Sequence, residues 1–157
     1  MIRVSALLAA LAFAIAACAS LEDAEPDSLP GTDTAEAIPA AAPAPPPAAR
    51  TAEEFDTTTA EQRAAATAAP ARAGAVRLGT TVISLGPPAE PGLWLRTGLV
   101  SDVTMGRVEN RANGKSVALE LRPSGGSTAG GSEISLAAMR LLDVPLTSLP
   151  EVVVYRD

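Results

Sequence analysis

The chain has 157 residues and a net charge of −6, and 47% of its residues are hydrophobic although only 3% are aromatic. A net negative chain lacks the basic surface that neutralises phosphates, which argues against nucleic-acid binding. The sequence contains no histidine and one cysteine. The commonest general base and metal ligand, every Ser-His triad and an intrachain disulfide are therefore excluded.

The negative charge is concentrated in the first half of the chain. Residues 19–78 contain ten acidic and four basic residues, a net of −6, whereas residues 79–157 contain eight and seven, a net of −1. An acidic extension of this kind favours solubility over specific recognition.

Residues 1–17 predict a signal peptide. Arg3 supplies a positive end, and the apolar run from Val4 to Ala17 is too short to span a membrane comfortably. The run ends in Ile15-Ala16-Ala17-Cys18, which resembles the lipobox of bacterial lipoproteins. The alternative is an ordinary secretory signal with an incidental cysteine.

The lipobox resemblance implies that Cys18 is diacylated, that cleavage occurs before it, and that its new amino group is acylated. More than one acyl chain gives stable attachment to a lipid membrane. Ala19 and Ser20 follow the cysteine, whereas inner-membrane retention usually needs Asp at the first of these positions. The expected location is therefore the outer membrane, facing the periplasm.

Residues 18–50 predict a disordered linker, because they are rich in Pro and Ala and few of them could pack into a core. Residues 40–49, AAAPAPPPAA, favour extended polyproline II, the conformation of a spacer. A Pro-rich motif that binds a partner is the alternative.

Residues 51–74 predict a short helical segment. Thr51-Ala52-Glu53-Glu54 and Thr58-Thr59-Ala60-Glu61 both resemble capping boxes, and a helix is expected from Ala60 to Ala69, ended by Pro70. Its apolar face is almost entirely alanine, so it is marginal alone. Phe55 either docks this segment on the domain or contacts a partner.

Residues 76–157 predict a small β domain. The expected strands are Thr80–Leu85, Gly92–Val100, Gly106–Glu109, Ser116–Leu121 and Glu151–Tyr155. Asn113-Gly114 predicts a hairpin turn in which both residues tolerate positive φ. Residues 123–131 predict a flexible loop that lacks the lysine of a phosphate-binding loop. Ser135 is expected to cap a short helix, Leu136–Leu142.

Mostly strands with one short helix point to a mainly β fold, a small barrel. Trp94 has two interpretations, a core residue or a surface that stacks on sugars. Leu136, Met139 and Leu142 are spaced to face the core from the short helix.

Three stretches together resemble the double-psi β-barrel of the rare lipoprotein A family. They are Gly106-Arg107-Val108 with Asn113-Gly114-Lys115-Ser116-Val117, Ile134-Ser135-Leu136-Ala137-Ala138-Met139, and Val152-Val153-Val154. Members of that family bind or cleave septal glycan strands stripped of their peptides, so the resemblance implies a cell-wall function.

The family's catalytic residues lack counterparts in this chain. Its first Asp falls on Pro123, the Asp at its helix start falls on Ser135, and its histidine has no equivalent. Glycan cleavage needs a carboxylic acid next to the glycosidic oxygen. The nearest candidates, Glu120 and Glu133, do not occupy the motif's positions. The domain is therefore interpreted as a non-catalytic relative that needs no cofactor or metal.

Short lipoproteins of this kind are also named galactarate dehydratase. Dehydration of a sugar acid usually uses a metal site and a base, and this stretch has neither histidine nor carboxylates at ligand spacing.

Three functional hypotheses remain. The first is an outer-membrane lipoprotein whose barrel contacts peptidoglycan or an envelope protein. Its candidate contacts are Trp94, Arg107, Asn113, Lys115 and Arg122. The second is a glycan-cleaving enzyme of the lytic transglycosylase type that uses Glu120 or Glu133 as its acid. The third is an assembly or secretion accessory without a ligand.

Overall fold

The computed structural model describes residues 42–69 and 73–157. The predicted signal peptide, Cys18 and the linker up to residue 41 lie outside the described residues. The described part contains the helices α1 (Ala52–Phe55), α2 (Ala60–Ala68) and α3 (Leu136–Leu141). Its strands are β1 (Val76–Leu85), β2 (Trp94–Thr97), β3 (Thr104–Asn110), β4 (Ser116–Pro123), β5 (Ser132–Ile134) and β6 (Glu151–Arg156).

The six strands close into a barrel in the order β1-β5-β2-β4-β3-β6. The β1–β5 and β2–β4 pairs are parallel, and the other four pairs are antiparallel. The mainly β barrel expected from the sequence is confirmed. Because the barrel is closed, none of its six strands is left with an unpaired edge.

Strict alternation builds the interior of the barrel. Val117, Leu119 and Leu121 of β4 point inward and are at most 1% exposed, while the residues between them point outward. The helix α3 closes the core with Met139 and Leu142, which are fully buried, and with Leu136. These three residues were predicted to face the core, and that prediction is confirmed. The remaining fully buried apolar side chains inside the barrel are Ile83, Leu95, Val108, Ile134, Val152 and Val154.

The strand β5 was not predicted. Only three residues long, it was assigned from sequence to the loop and the approach to the helix, because its period-2 pattern is too short to recognise. It nevertheless pairs with both β1 and β2 and completes the barrel. Ser132 makes this possible without an apolar side chain, since its hydroxyl shares a buried hydrogen bond of 2.9 Å with Thr81.

The hairpin turn differs in detail from the prediction. Gly114 has φ 69°, but Asn113 is not among the residues with positive φ. The loop is longer than a two-residue turn: the Gly114 N–H donates to Asn110 O (2.8 Å), and the Asn110 N–H donates to Lys115 O (2.8 Å). Asn113 instead contributes through its side-chain amide, which donates to Leu142 O (3.0 Å).

Both predicted capping boxes of the 51–74 segment have counterparts, and α2 begins at Ala60 as expected, although its capping box is shifted by one residue. Thr51 caps α1 with Glu54 in a capping box. The second box is made by Thr59 and Gln62 instead of Thr58 and Glu61. Backbone hydrogen bonds from Arg50 and then Thr51 lower the pKa of the exposed Glu54 carboxyl.

The end of the Pro-rich stretch packs on its neighbours. Ala42 and Ala49 are buried, and the Thr57 hydroxyl donates to Pro43 O (2.5 Å). Ala66 of α2 joins the hydrophobic core, so this helix contacts the barrel through alanine, the only apolar residue type it offers. Phe55 is half-buried.

Candidate binding surface

The outward-facing residues of β2, β4 and β5 form a cluster of charges around a buried aromatic ring. It consists of Glu90, Trp94, Arg96, Glu120, Arg122 and Glu133, and is called here the Trp94 cluster. Register places these groups side by side: Trp94 lies opposite Glu120, and Arg96 lies opposite both Arg122 and Glu133. Glu90 comes from the loop before β2, in a turn closed by its N–H donating to Pro87 O (3.0 Å).

Trp94 is fully buried although it points away from the barrel interior. The guanidinium carbons of Arg96 and Arg122 lie 4.9 and 5.4 Å from its ring centroid, the geometry of a cation–π contact. Its ring nitrogen donates to Glu90 O at 3.4 Å. The ring is therefore covered by two arginines and is not free to stack on a sugar in this structure.

Three carboxylates hold the two arginines in place. Arg96 donates to Glu133 (2.7 Å) and to Glu90 (2.9 Å), and Arg122 donates to Glu90 (2.5 Å) and, through its Nε, to Glu120. Hydrogen bonds to Glu133, which has the larger effect, and to Glu90 raise the pKa of the Arg96 guanidinium, so it stays protonated. About a third of each arginine, Glu90 and Glu120 is exposed, and these parts present donors and acceptors to solvent.

The pairing decides what Glu120 and Glu133 can do chemically. A general acid must carry a proton and reach the bond it breaks. Each of these carboxylates instead accepts a hydrogen bond from a guanidinium, and each lies on the outer face of the barrel. The arrangement favours holding charges in fixed positions over donating a proton.

The positions that match the family's two Asp residues also lack acids that could act in a site. Ser135 is fully buried, where it caps α3 by accepting from the Ala138 N–H (3.4 Å) and also accepts from the Trp94 N–H (3.2 Å). Pro123 ends β4. The serine thus performs the capping role that an Asp could fill.

A second cluster lies on the outer face of β1, β6 and β3. Arg107 stacks on Tyr155, with 4.4 Å from its guanidinium carbon to the ring centroid, and pairs with Glu109 at 3.4 Å. Arg77 lies opposite Tyr155 on the other side. The four residues Arg77, Arg107, Glu109 and Tyr155 are called here the Tyr155 cluster.

Asn113 and Lys115 have structural partners at the tip of the hairpin. The Asn113 amide donates to Leu142 O (3.0 Å), which also accepts from the buried Asn110 amide (3.3 Å). Lys115 pairs with Asp143 at 3.0 Å, with both groups exposed. Asn113 thereby attaches the hairpin to the C-terminal end of α3, whereas the exposed Lys115–Asp143 pair contributes little to stability.

An open groove of about 410 Å³ lies between the 51–63 segment and α3. Its charged walls are Glu53, Asp56, Arg63 and Arg140. Asp56 is paired with Arg140 at 3.2 Å, and Arg63 donates to Thr58 O at 2.5 Å. Glu53, Asp56 and Arg140 are thus paired with one another, while Arg63 bonds Thr58, which fits a contact between the segment and the barrel.

The described ranges, 42–69 and 73–157, offer neither a metal-binding group of side chains nor a membrane-spanning helix. They contain no group of three or more Cys, Asp or Glu residues that could hold a metal ion. None of their helices is long and apolar enough to cross a membrane.

Comparison with known proteins gave no match: no protein-family model, no characterised protein and no solved structure resembles the chain closely enough. The resemblance to the rare lipoprotein A family therefore stays a prediction made from the residues quoted above.

The five predicted contact residues separate into three places. Trp94 and Arg122 share the Trp94 cluster, Arg107 lies in the Tyr155 cluster, and Asn113 and Lys115 belong to the hairpin tip. Sequence reasoning missed Glu90, Arg96, Arg77 and Tyr155. Arg96, Arg77 and Tyr155 join their clusters through strand register and Glu90 through the loop before β2, and the sequence specified neither.

Proposed function

We propose that the protein is a lipid-anchored component of the bacterial outer membrane whose barrel binds peptidoglycan without cleaving it. The anchor half of the proposal is supported by the single cysteine of the chain, which stands at the one position that the lipobox requires. Replacing Cys18 by Ser should then release the chain from the membrane fraction.

The binding half is carried by one observation: the carboxylates that a glycan-cleaving enzyme would need are tied to arginines on an outer face. Glu120 is bonded to Arg122 and Glu133 to Arg96. The same network holds partly exposed donors and acceptors in fixed positions. Hydroxyl and amide groups of a glycan strand bind donors and acceptors of this kind. This supports recognition over hydrolysis or transglycosylation.

The test is sedimentation of the detergent-solubilised full chain with purified peptidoglycan sacculi. We expect the chain to appear in the pellet and no soluble glycan fragment to appear in the supernatant by mass spectrometry. An Arg96→Gln, Arg122→Gln variant that still unfolds cooperatively should pellet less.

Two results would contradict the proposal. A chain that stays in the supernatant does not bind the wall, which leaves an envelope protein as the partner. Release of glycan fragments that disappears in Glu120→Gln or Glu133→Gln would establish the enzyme hypothesis instead. The dehydratase name gains no support from the described residues, which contain no metal-binding group of side chains.

A further inference from the structure

The Tyr155 cluster places one arginine on each side of the only tyrosine in the chain. Tyr155 lies directly opposite Arg77 on β1 and directly opposite Arg107 on β3. Residues that face each other across neighbouring strands have Cα atoms about 5 Å apart and project from the same side of the sheet. The three side chains therefore form one row across three strands on the outer face.

Arg107 is held in place, and its guanidinium has hydrogen-bond donors that the fold does not fully satisfy. Its side chain is 13% exposed, and its guanidinium stacks on the Tyr155 ring at 4.4 Å. Its one carboxylate partner, Glu109, is 3.4 Å away, longer than the 2.5–2.9 Å contacts in the Trp94 cluster. Its buried Nε has no hydrogen-bond partner within the described part of the chain. Because the Nε is enclosed, an incoming acceptor would bond the terminal nitrogens of the guanidinium, whose carboxylate contact within the described residues is the 3.4 Å contact with Glu109.

Arg77 complements Arg107 from the other side. It is exposed, and no carboxylate of the described residues pairs with it. With Glu109 as its acidic member, the cluster has two positive charges and one negative charge. The Tyr155 hydroxyl adds a further hydrogen-bonding group.

We propose that Arg77, Arg107 and Tyr155 form a binding site for a carboxylate group of peptidoglycan. This inference depends on the proposed function and names the group that the wall presents to the barrel. Arginine pairs with carboxylates through two parallel hydrogen bonds, and a neighbouring tyrosine hydroxyl supplies a third donor.

The size of the cluster favours a discrete anion over a lipid surface. Attraction to an anionic membrane takes a group of roughly four to eight basic residues. Here two arginines stand beside Glu109, in a chain whose net charge is −6. Two guanidiniums suit one or two carboxylates on a polymer.

The experiment measures the affinity of the detergent-solubilised full chain for purified sacculi. Arg77→Gln is the main variant, because Arg77 is exposed and its loss leaves packing intact. Arg107→Gln is the second variant, with its fold checked by circular dichroism. Arg111→Gln is the matched control, since it removes the same charge from an arginine that is 60% exposed and paired with Glu151. We expect about a tenfold loss of affinity in each cluster variant, the size of one lost charge-assisted hydrogen bond, and no loss in the control.

Two further arms identify the ligand group. Sacculi whose carboxylates have been converted to amides should bind the unmodified chain about as weakly as ordinary sacculi bind Arg77→Gln. Vesicles containing phosphatidylglycerol should not bind through Arg77.

The outcomes separate the two proposals. If Arg77→Gln binds sacculi as tightly as the unmodified chain, the carboxylate site is wrong while wall binding stands. If the unmodified chain does not bind sacculi, the proposed function fails and this site fails with it. If vesicles bind the unmodified chain and Arg77→Gln abolishes that binding, the site takes a lipid phosphate and the carboxylate assignment is overturned.

Discussion

Single residues decide how tightly the barrel can close. Gly106 is buried in β3, where a Cβ atom would overlap the backbone oxygen of Tyr155 on β6 and lie 2.5 Å from Cδ1 of Leu121. The backbone oxygen cannot move without disturbing the β3–β6 ladder. The glycine is thus required by close approach, since its φ is not in the left-handed region.

Replacing Gly106 by Ala should lower the free energy of unfolding by about 2–3 kcal/mol, because the added methyl group forces two paired strands apart. The measurement is denaturant unfolding, with a lower midpoint and an unchanged slope. Gly126→Ala is the matched control, since its Cβ would meet Ser124 Oγ at an acceptable 3.4 Å in an exposed loop. A midpoint for Gly106→Ala equal to that of the control would refute the packing argument.

At the same scale, the sequence predicted residue roles where they depend on local chemistry. Ser135 as a helix cap and Gly114 as a positive-φ residue follow from rules that act within four residues. Arg96 and Tyr155 were not predicted as site residues, because their partners lie on other strands. A single sequence without strand register cannot specify such pairs.

Among the elements, the segment that precedes the barrel is attached by polar contacts as well as by the buried Ala66. Asp56 is 6% exposed, accepts from the Thr58 N–H (3.2 Å) and hydroxyl (2.5 Å), and pairs with Arg140 of α3 at 3.2 Å. Glu53 also pairs with Arg140, but at 3.4 Å and with 73% of its side chain exposed. Exposed pairs contribute little to stability, so Asp56 is the main polar link between the segment and the barrel.

Replacing Asp56 by Ala should loosen α1 and α2 without unfolding the barrel. Removing the buried acceptor leaves two donors of Thr58 without their partner, a loss of about 1–3 kcal/mol. Cleavage by trypsin after Arg63, which lies within α2, should then become about tenfold faster, because local opening exposes the site more often. Glu53→Gln is the control and should be cut at the parent rate. Equal rates for both variants would show that Asp56 does not hold the segment.

Element prediction succeeded where a pattern was long enough. The strands β1, β3, β4 and β6 and the helix α3 were recognised from alternation, turn residues and a cap, with ends shifted by a few residues. The three-residue β5 carries no recognisable pattern, yet it bridges β1 and β2 by tertiary pairing. The second capping box moved by one residue because Gln62 serves as its reciprocal partner.

For the whole molecule, closure of the barrel explains why charged residues gather on its outside. Every strand is paired and the interior is filled mainly by Val, Leu and Ile. Polar and charged side chains that could contact a ligand are therefore on the outer face and the loops. That face carries the Trp94 cluster on β2, β4 and β5 and the Tyr155 cluster on β1, β6 and β3. Alternation along β4 distinguishes its inward apolar residues from those that point outward, whereas the sequence left the orientation of Trp94 on β2 open. The grouping into two clusters follows from the strand order, in which neighbours in the barrel are often distant in the chain.

If the proposed function is right, the anchored barrel contacts peptidoglycan in the cell, and cross-linking in intact cells detects that contact. A photoreactive residue is placed at Thr80, an exposed outer-face position on β1 opposite Val153, in the full chain and in its Cys18→Ser variant. We predict an adduct of the full chain that collapses to a small mass increment after digestion with a muramidase, and a weaker adduct without the anchor. An adduct of fixed mass that survives the digestion would instead identify a protein partner and contradict the claim.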